Sequence, residues 1–308
     1  MRSAFLLLFT LSQCAYTLAQ TKERYYLDAT DHTANYYEVF YESNTTIEQV
    51  LVLIPGFGET PERVILQTDL PLLTVKNGIL TIIPVLADGV LSLGVDEQSQ
   101  KSLQRIIEHA TLKYNIKSTP LSIGGFSIGG SAAIKYAEQA TQQATTPQPI
   151  KVFAIDPPLD FERFYQSAKR RIRLSKDGEA NKEDLYITQR IEVAFGGPPE
   201  TALTNYHRIS PYSYSDTSQS NIKPLIHTAL RIYTEPDVHW WISERGNDYS
   251  GMNALDASCI INELNRLGNS QATLITTQNK GFRKPDNRKH PHAWSIVDNE
   301  ALITWLKN

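Results

Sequence analysis

Residues 121–133 read Leu-Ser-Ile-Gly-Gly-Phe-Ser-Ile-Gly-Gly-Ser-Ala-Ala, and the fold is decided there. The apolar first half predicts a buried strand from Leu121 to Gly125, and the small-residue second half predicts a helix from Ile128 to Gln139. Between them, Gly125-Phe126-Ser127-Ile128-Gly129 puts a serine on a sharp strand-to-helix turn. Small residues two before and two after it relieve the crowding around a serine held in a strained conformation. The helix N-terminus beside it favours negative charge on an attacked oxygen. A Gly-x-Ser-x-Gly pattern by itself is weak, since a glycine-rich turn that binds an anion or merely packs tightly reads the same; its position gives it weight.

Reading outward, Gln49 to Ile54 is a continuous apolar run, the pattern of a strand covered on both faces. A helix from Pro61, a strand Ile79 to Leu86, a helix Asp96 to Tyr114 and a strand Val152 to Ile155 complete an alternation that predicts a doubly wound, mostly parallel sheet of the α/β class. Two aromatic-rich stretches before it, Arg24 to Leu27 and Tyr36 to Tyr41, predict antiparallel edge strands. After Pro158 the alternation stops. The polar and charged span of about 161–223 predicts a helical cap insertion over the sheet. A strand Thr228 to Tyr233, a helical stretch around Asn253 to Leu267, a strand Ala272 to Thr276 and a helix Trp294 to Leu306 follow.

The 308-residue chain carries a net charge of −3, which gives no sign of bulk attraction to nucleic acid. Arg2, the apolar run Ala4 to Phe9 and Thr17-Leu18-Ala19 predict a signal peptide over 1–19, leaving one domain over 20–308 in a secreted or periplasmic protein. That run is too short to span a bilayer, so no stable membrane insertion is expected. Lipid attachment at Cys14 ranks lower, because Gln13 is an unusual residue before a lipidated cysteine. Cys259 would then stand alone as a packing thiol, which removes internal disulfides and cysteine-pair zinc sites.

On the elbow and its setting the chain resembles the α/β-hydrolase superfamily, and within it secreted bacterial serine esterases. That resemblance covers nearly the whole mature sequence and implies an order of serine, acid, histidine. Ser127 is then the nucleophile. The resemblance places the acid after the penultimate strand, in Tyr233-Thr234-Glu235-Pro236-Asp237, with Asp237 preferred, Glu235 second and Asp156 a third choice. It places the base between the last strand and the last helix, where His292 is preferred to His290. Each acid also reads as an ordinary turn former or helix cap.

Acyl transfer needs two preorganised donors for the oxyanion. Ile128 N–H is one, and Phe57 N–H in Pro55-Gly56-Phe57-Gly58 is the other, although the family often has His-Gly where this chain has Pro55-Gly56. No cofactor or metal is expected. The expected partner is a small-molecule or oligosaccharide ester. Arg163, Lys169, Arg170, Arg171, Arg173 and Lys176 suggest either carboxylate recognition or a solvated helix face. Trp240, Trp241, Tyr212 and Tyr214 suggest either stacking on a sugar or core packing. The rival classes are a peptidase or thioesterase using the same residues, and a non-catalytic binding protein on the same fold.

Overall fold

The computed structural model describes residues 20–43, 45–143, 146–175 and 182–308. The expected signal peptide with Cys14, and Lys176 of the basic cluster, lie outside them. In chain order the elements are β1 (Gln20–Tyr26), β2 (Tyr36–Glu42), β3 (Gln49–Ile54), α1 (Pro61–Gln67), α2 (Leu70–Lys76), β4 (Ile79–Val85), α3 (Glu97–Lys113), β5 (Leu121–Phe126), α4 (Ile128–Gln142) and β6 (Lys151–Ile155). Then come α5 (Phe161–Leu174), α6 (Lys182–Phe195), α7 (Pro199–Ile209), β7 (Ala229–Thr234), α8 (Val238–Arg245), α9 (Asn253–Arg266), β8 (Ala272–Thr276), the short hairpin β9 (Phe282–Arg283) and β10 (Arg288–Lys289), and α10 (Asn299–Lys307).

Eight strands form one sheet in the order β1-β2-β4-β3-β5-β6-β7-β8. The two N-terminal strands pair antiparallel at one edge, and β4 to β8 with β3 run parallel. This is the doubly wound arrangement that the alternation predicts. Strand β3 shows why its sequence has no polar face: Val50, Val52 and Ile54 enter a core shared with α3, α4 and α9, while Leu51 and Leu53 enter the opposite core with α2 and α10.

Two boundaries differ from the sequence reading. The helix from Pro61 breaks at Thr68, which is extended, so α1 and α2 are separate. The last helix starts at Asn299, where Asp298 accepts the Ala301 N–H as a cap; Trp294–Ile296 is a single tight turn buried against the sheet.

Helices α5 to α7 lie between β6 and β7 and share a third core, in which Phe161, Ile191, Phe195 and Tyr206 pack with Leu93, Val95 and Ile128 from the sheet side. Arg163 of α5 pairs with buried Asp256 of α9, whose carboxylate also accepts the Asp160 N–H. Among the described residues no helix is long and apolar enough to cross a membrane.

The elbow needs its glycines. A Cβ on Gly125 would sit 2.5 Å from the Gly129 carbonyl carbon, and one on Gly129 would sit 2.2 Å from the Ile54 carbonyl oxygen. Backbone cannot yield as a flexible side chain can, so Gly129→Ala should cost on the order of 3 kcal/mol. A urea midpoint equal to wild type would contradict this reading of the turn.

Candidate active site

Ser127 stands between β5 and α4 with φ 53° and ψ −126°, a conformation that L-residues adopt only when the surroundings impose it. Parallel register pairs Phe126 of β5 with Ile155 of β6, and the Ser127 N–H donates to the Ile155 carbonyl at 2.8 Å. The residue after Ile155 is Asp156, so serine and carboxylate leave neighbouring strands at the same edge. Ser127 heads α4 without spending its hydroxyl on a cap.

The sequence-predicted base reaches this edge from the far end of the chain. His292 Nδ1 lies 2.6 Å from Asp156 Oδ2. An ionised carboxylate only accepts, so Nδ1 carries the hydrogen and the lone pair is on Nε2. Asp156 is itself held: its other oxygen accepts from the Thr234 hydroxyl at 3.0 Å, its N–H donates to Tyr233, and its carbonyl accepts from the Asn253 amide. Its φ of 46° turns the carboxylate out of the strand.

The carboxylate bonded to His292 is thus Asp156, and the structure does not bring Asp237, the carboxylate preferred from sequence, to that histidine. Asp237 caps α8 through the Trp240 N–H and takes a Lys289 ammonium at 2.7 Å, which holds its carboxyl below the usual range. Glu235 is buried at the cavity wall, but its oxygens accept the backbone N–H groups of Lys280 and Gly281 and the Thr277 hydroxyl. Its role there is to order the loop after β8. Asp156, ranked third from sequence, is the carboxylate that meets the histidine. Asp156 directly ends the strand adjoining β5, whereas Asp237 lies three residues past the end of β7, a difference that only the strand order reveals.

His290 also departs from its assigned place. It is 6% exposed, wedged against Trp240 and Trp241 with ring centroids 4.7 and 5.6 Å away. Its Nδ1 accepts the His292 N–H at 3.2 Å. Burial, and then the nearby Arg283 and His292, push it down to about 2, so it is a neutral scaffold under the His292 loop.

The other side of that loop is tied as well. Arg283 donates from Nε and Nη2 to the His292 carbonyl at 3.0 and 2.8 Å. Trp294 Nε1 donates to Glu59, which also accepts the Gly56 N–H at 2.9 Å. Glu59 thereby joins the loop after β3 to the histidine loop, and Phe126 fills the space between, with rings 4.5 Å from His292 and 5.2 Å from Trp294. Among the described residues, the Phe57 and Ile128 N–H groups have no hydrogen-bond acceptor. Ile128 is the first residue of α4, where an N–H has no partner within the helix.

Ser127, Asp156, His292, Phe57 and Ile128 line one cavity of about 210 Å³, closed from above by Phe164 and Ile187 of the inserted helices. Most of the basic cluster that suggested carboxylate recognition is spent elsewhere: Arg163, Arg170 and Arg171 pair with Asp256, Asp248 and Asp184, and Lys169 lies over the Tyr165 ring. Tyr212 is buried and donates to Glu263, whereas Trp241 reaches the cavity. Among the described residues, no group of histidine, cysteine and carboxylate side chains is placed to hold a metal ion.

Comparison with known proteins agrees with this architecture. Residues 90–193 match the model of a family described as an alpha/beta hydrolase of unknown function (DUF915). No curated protein sequence matches the chain. Among solved structures, carboxyl esterase 2 from the mycorrhizal fungus Tuber melanosporum is 12% identical with a TM-score of 0.58, over 97% of this chain and 87% of that one. An S-formylglutathione hydrolase from Agrobacterium tumefaciens is 10% identical with a TM-score of 0.58, over 94% and 95%. The fluorophosphonate-binding serine hydrolase F of Staphylococcus aureus is 15% identical with a TM-score of 0.52, over 94% and 98%.

A pH dependence follows from His290. Its folded pKa lies below the unfolded value of 6.5, so above that pH both states are neutral and the residue contributes no slope. As pH falls below it, the unfolded chain binds a proton that the folded chain refuses, and stability is lost. His290→Gln keeps an acceptor for the His292 N–H and should show a shallower fall in melting temperature from about pH 7 to about pH 5. Parallel curves would remove His290 as the source. With the sheet order, the elbow and these likenesses together, the chain has the α/β-hydrolase fold.

Proposed function

We propose that this chain is a serine hydrolase that cleaves carboxylic esters, with Ser127 as nucleophile, His292 as base and Asp156 as the acid. The observation that carries the reading is the 2.6 Å bond from Asp156 to His292 in the cavity that Ser127 opens into. Asp156 holds the imidazole with Nδ1 protonated, so that Nε2 takes the Ser127 proton as Oγ attacks the acyl carbon. The oxyanion meets the Phe57 and Ile128 N–H groups, both without acceptors among the described residues. Histidinium returns the proton to the leaving oxygen as the carbon–oxygen bond breaks. Water, activated by the same imidazole, releases the acid and restores Ser127.

The small cavity, lined on one side by Phe57, Phe164 and Ile187, suits a short acyl group. Secretion remains part of this proposal on the composition of residues 1–19. The likeness to esterases and to a fluorophosphonate-binding hydrolase supports it as likeness of fold.

A fluorophosphonate probe should label the purified protein, and Ser127→Ala should abolish both labelling and p-nitrophenyl butyrate turnover. An unlabelled, inactive wild type would leave a binding protein on this fold. The two acids separate in a second experiment. Asp156→Asn should lower kcat roughly ten-thousand-fold, as the wrong tautomer is then favoured. Asp237→Asn should leave turnover in place while weakening the α8 cap by about 1 kcal/mol. The opposite ranking would restore Asp237 as the acid.

A further inference from the structure

His290 and Arg245 meet in a way that neither satisfies. The His292 N–H and Arg245 Nη2 can both only donate, and a neutral imidazole has a single acceptor nitrogen; given to the shorter contact, His292 N–H to Nδ1 at 3.2 Å, it leaves Nε2 carrying the hydrogen. Arg245 Nη2 lies 3.4 Å from that Nε2. A guanidinium has no lone pair to offer, so two donors converge on one place in the cavity wall. Arg283 stands close by, spends Nε and Nη2 on a neutral carbonyl, and has its pKa lowered first by burial and further by Arg245, with Glu59 and Glu183 offsetting this at longer range. Among the described residues neither arginine has a carboxylate within 4.0 Å.

The acidic groups that share the cavity are engaged elsewhere or act at longer range. Asp184 is bound by Arg171, Glu235 by the loop after β8, and Asp156 by His292. Glu183 of α6 acts on Arg283 across the cavity. The remaining demand is for an acceptor that bears negative charge.

From this we infer that the cavity selects esters whose leaving alcohol carries a carboxylate, bound between Arg245 and the His290 Nε2–H with Arg283 supplying further positive charge. The side of the substrate follows from position. Arg283 and His290 bond the backbone of His292, the residue that hands its proton to the leaving oxygen, and Arg245 lies against His290, whereas the oxyanion donors Phe57 and Ile128 lie on other elements. The inference rests on the ester hydrolase reading. A carboxylate matches a guanidinium and an imidazole N–H in geometry as well as charge, and such charge-assisted bonds are about twice as strong as neutral ones.

The test compares 4-carboxyphenyl butyrate with 4-carbamoylphenyl butyrate, which differ in charge and little in size. Wild type should favour the carboxylate by about tenfold in kcat/KM, chiefly through KM, and added salt should shrink the ratio. Arg245→Gln should bring the ratio close to one, and 4-hydroxybenzoate should inhibit wild type more strongly than 4-hydroxybenzamide. Fluorophosphonate labelling of the variant reports whether its site is intact. A labelled, active wild type with a ratio near one overturns this inference and leaves the hydrolase reading standing. A preference seen only when the carboxylate is on the acyl side, with phenyl hemisuccinate against phenyl butyrate, overturns it too. Loss of both labelling and turnover in wild type overturns both.

Discussion

Parallel pairing of Phe126 with Ile155 fixes where Ser127 and Asp156 leave the sheet, and the remaining features of the site are arranged around that edge. The register puts the two residues on adjacent strands, and both then turn out of the sheet through positive φ. Such backbone is costly for residues with side chains, and it persists because the neighbours allow nothing else. The Ser127 N–H is bonded to Ile155, the Asp156 N–H to Tyr233, and Gly125 and Gly129 leave no room for a Cβ. Strain at the edge is thus held by buried strands in the middle of the sheet.

The histidine has no such support from the sheet, because it sits on a loop that follows the last strand. It is held by contacts to each part of its backbone and ring. Arg283 takes its carbonyl, His290 its N–H, Asp156 its Nδ1 and Phe126 its face. Glu59 adds a longer connection, since it bonds both Trp294 and Gly56. The loop bearing Phe57 and the loop bearing His292 therefore move together or not at all. Glu235 does for the segment after β8 what Glu59 does for the loop after β3: its carboxylate, buried in this case, accepts backbone N–H groups and orders a turn.

These differences in support explain what was legible in the sequence. The strands of the sheet announce themselves because a strand covered on both faces must be almost entirely apolar, as in β3 and β5, whose buried Gln49 and Ser122 bond to each other. The elbow is legible because its glycines are demanded by backbone contacts rather than by taste of composition. His292 is legible from chain order and from its loop. The acid was not, because an aspartate at a strand end reads the same whether it meets a histidine or caps a helix, and Asp237 is indeed a helix cap. Which strand lies beside β5 decides between them, and adjacency of strands is a long-range property. The start of α10 differs for a related reason: Trp294 and Val297 are buried at helical spacing, yet Asp298 is the cap.

The distribution of positive charge follows the same division between structure and site. In α5 the arginines Arg163, Arg170 and Arg171 each find a carboxylate, and these pairs attach the inserted helices to α9, to the loop after α8 and to one another. Arg245 and Arg283 have no carboxylate within 4.0 Å among the described residues, with Glu59 and Glu183 acting on Arg283 only at longer range, and they stand beside the loop of the histidine to which the proposed mechanism assigns the proton. Under the proposed mechanism a positive field there would oppose formation of histidinium, and the Asp156 carboxylate on Nδ1 would favour it. On the proposed reading, a carboxylate bound between Arg245 and His290 would oppose that field at the moment the proton moves, so the same charge that attracts such a substrate would also help the step that follows its binding.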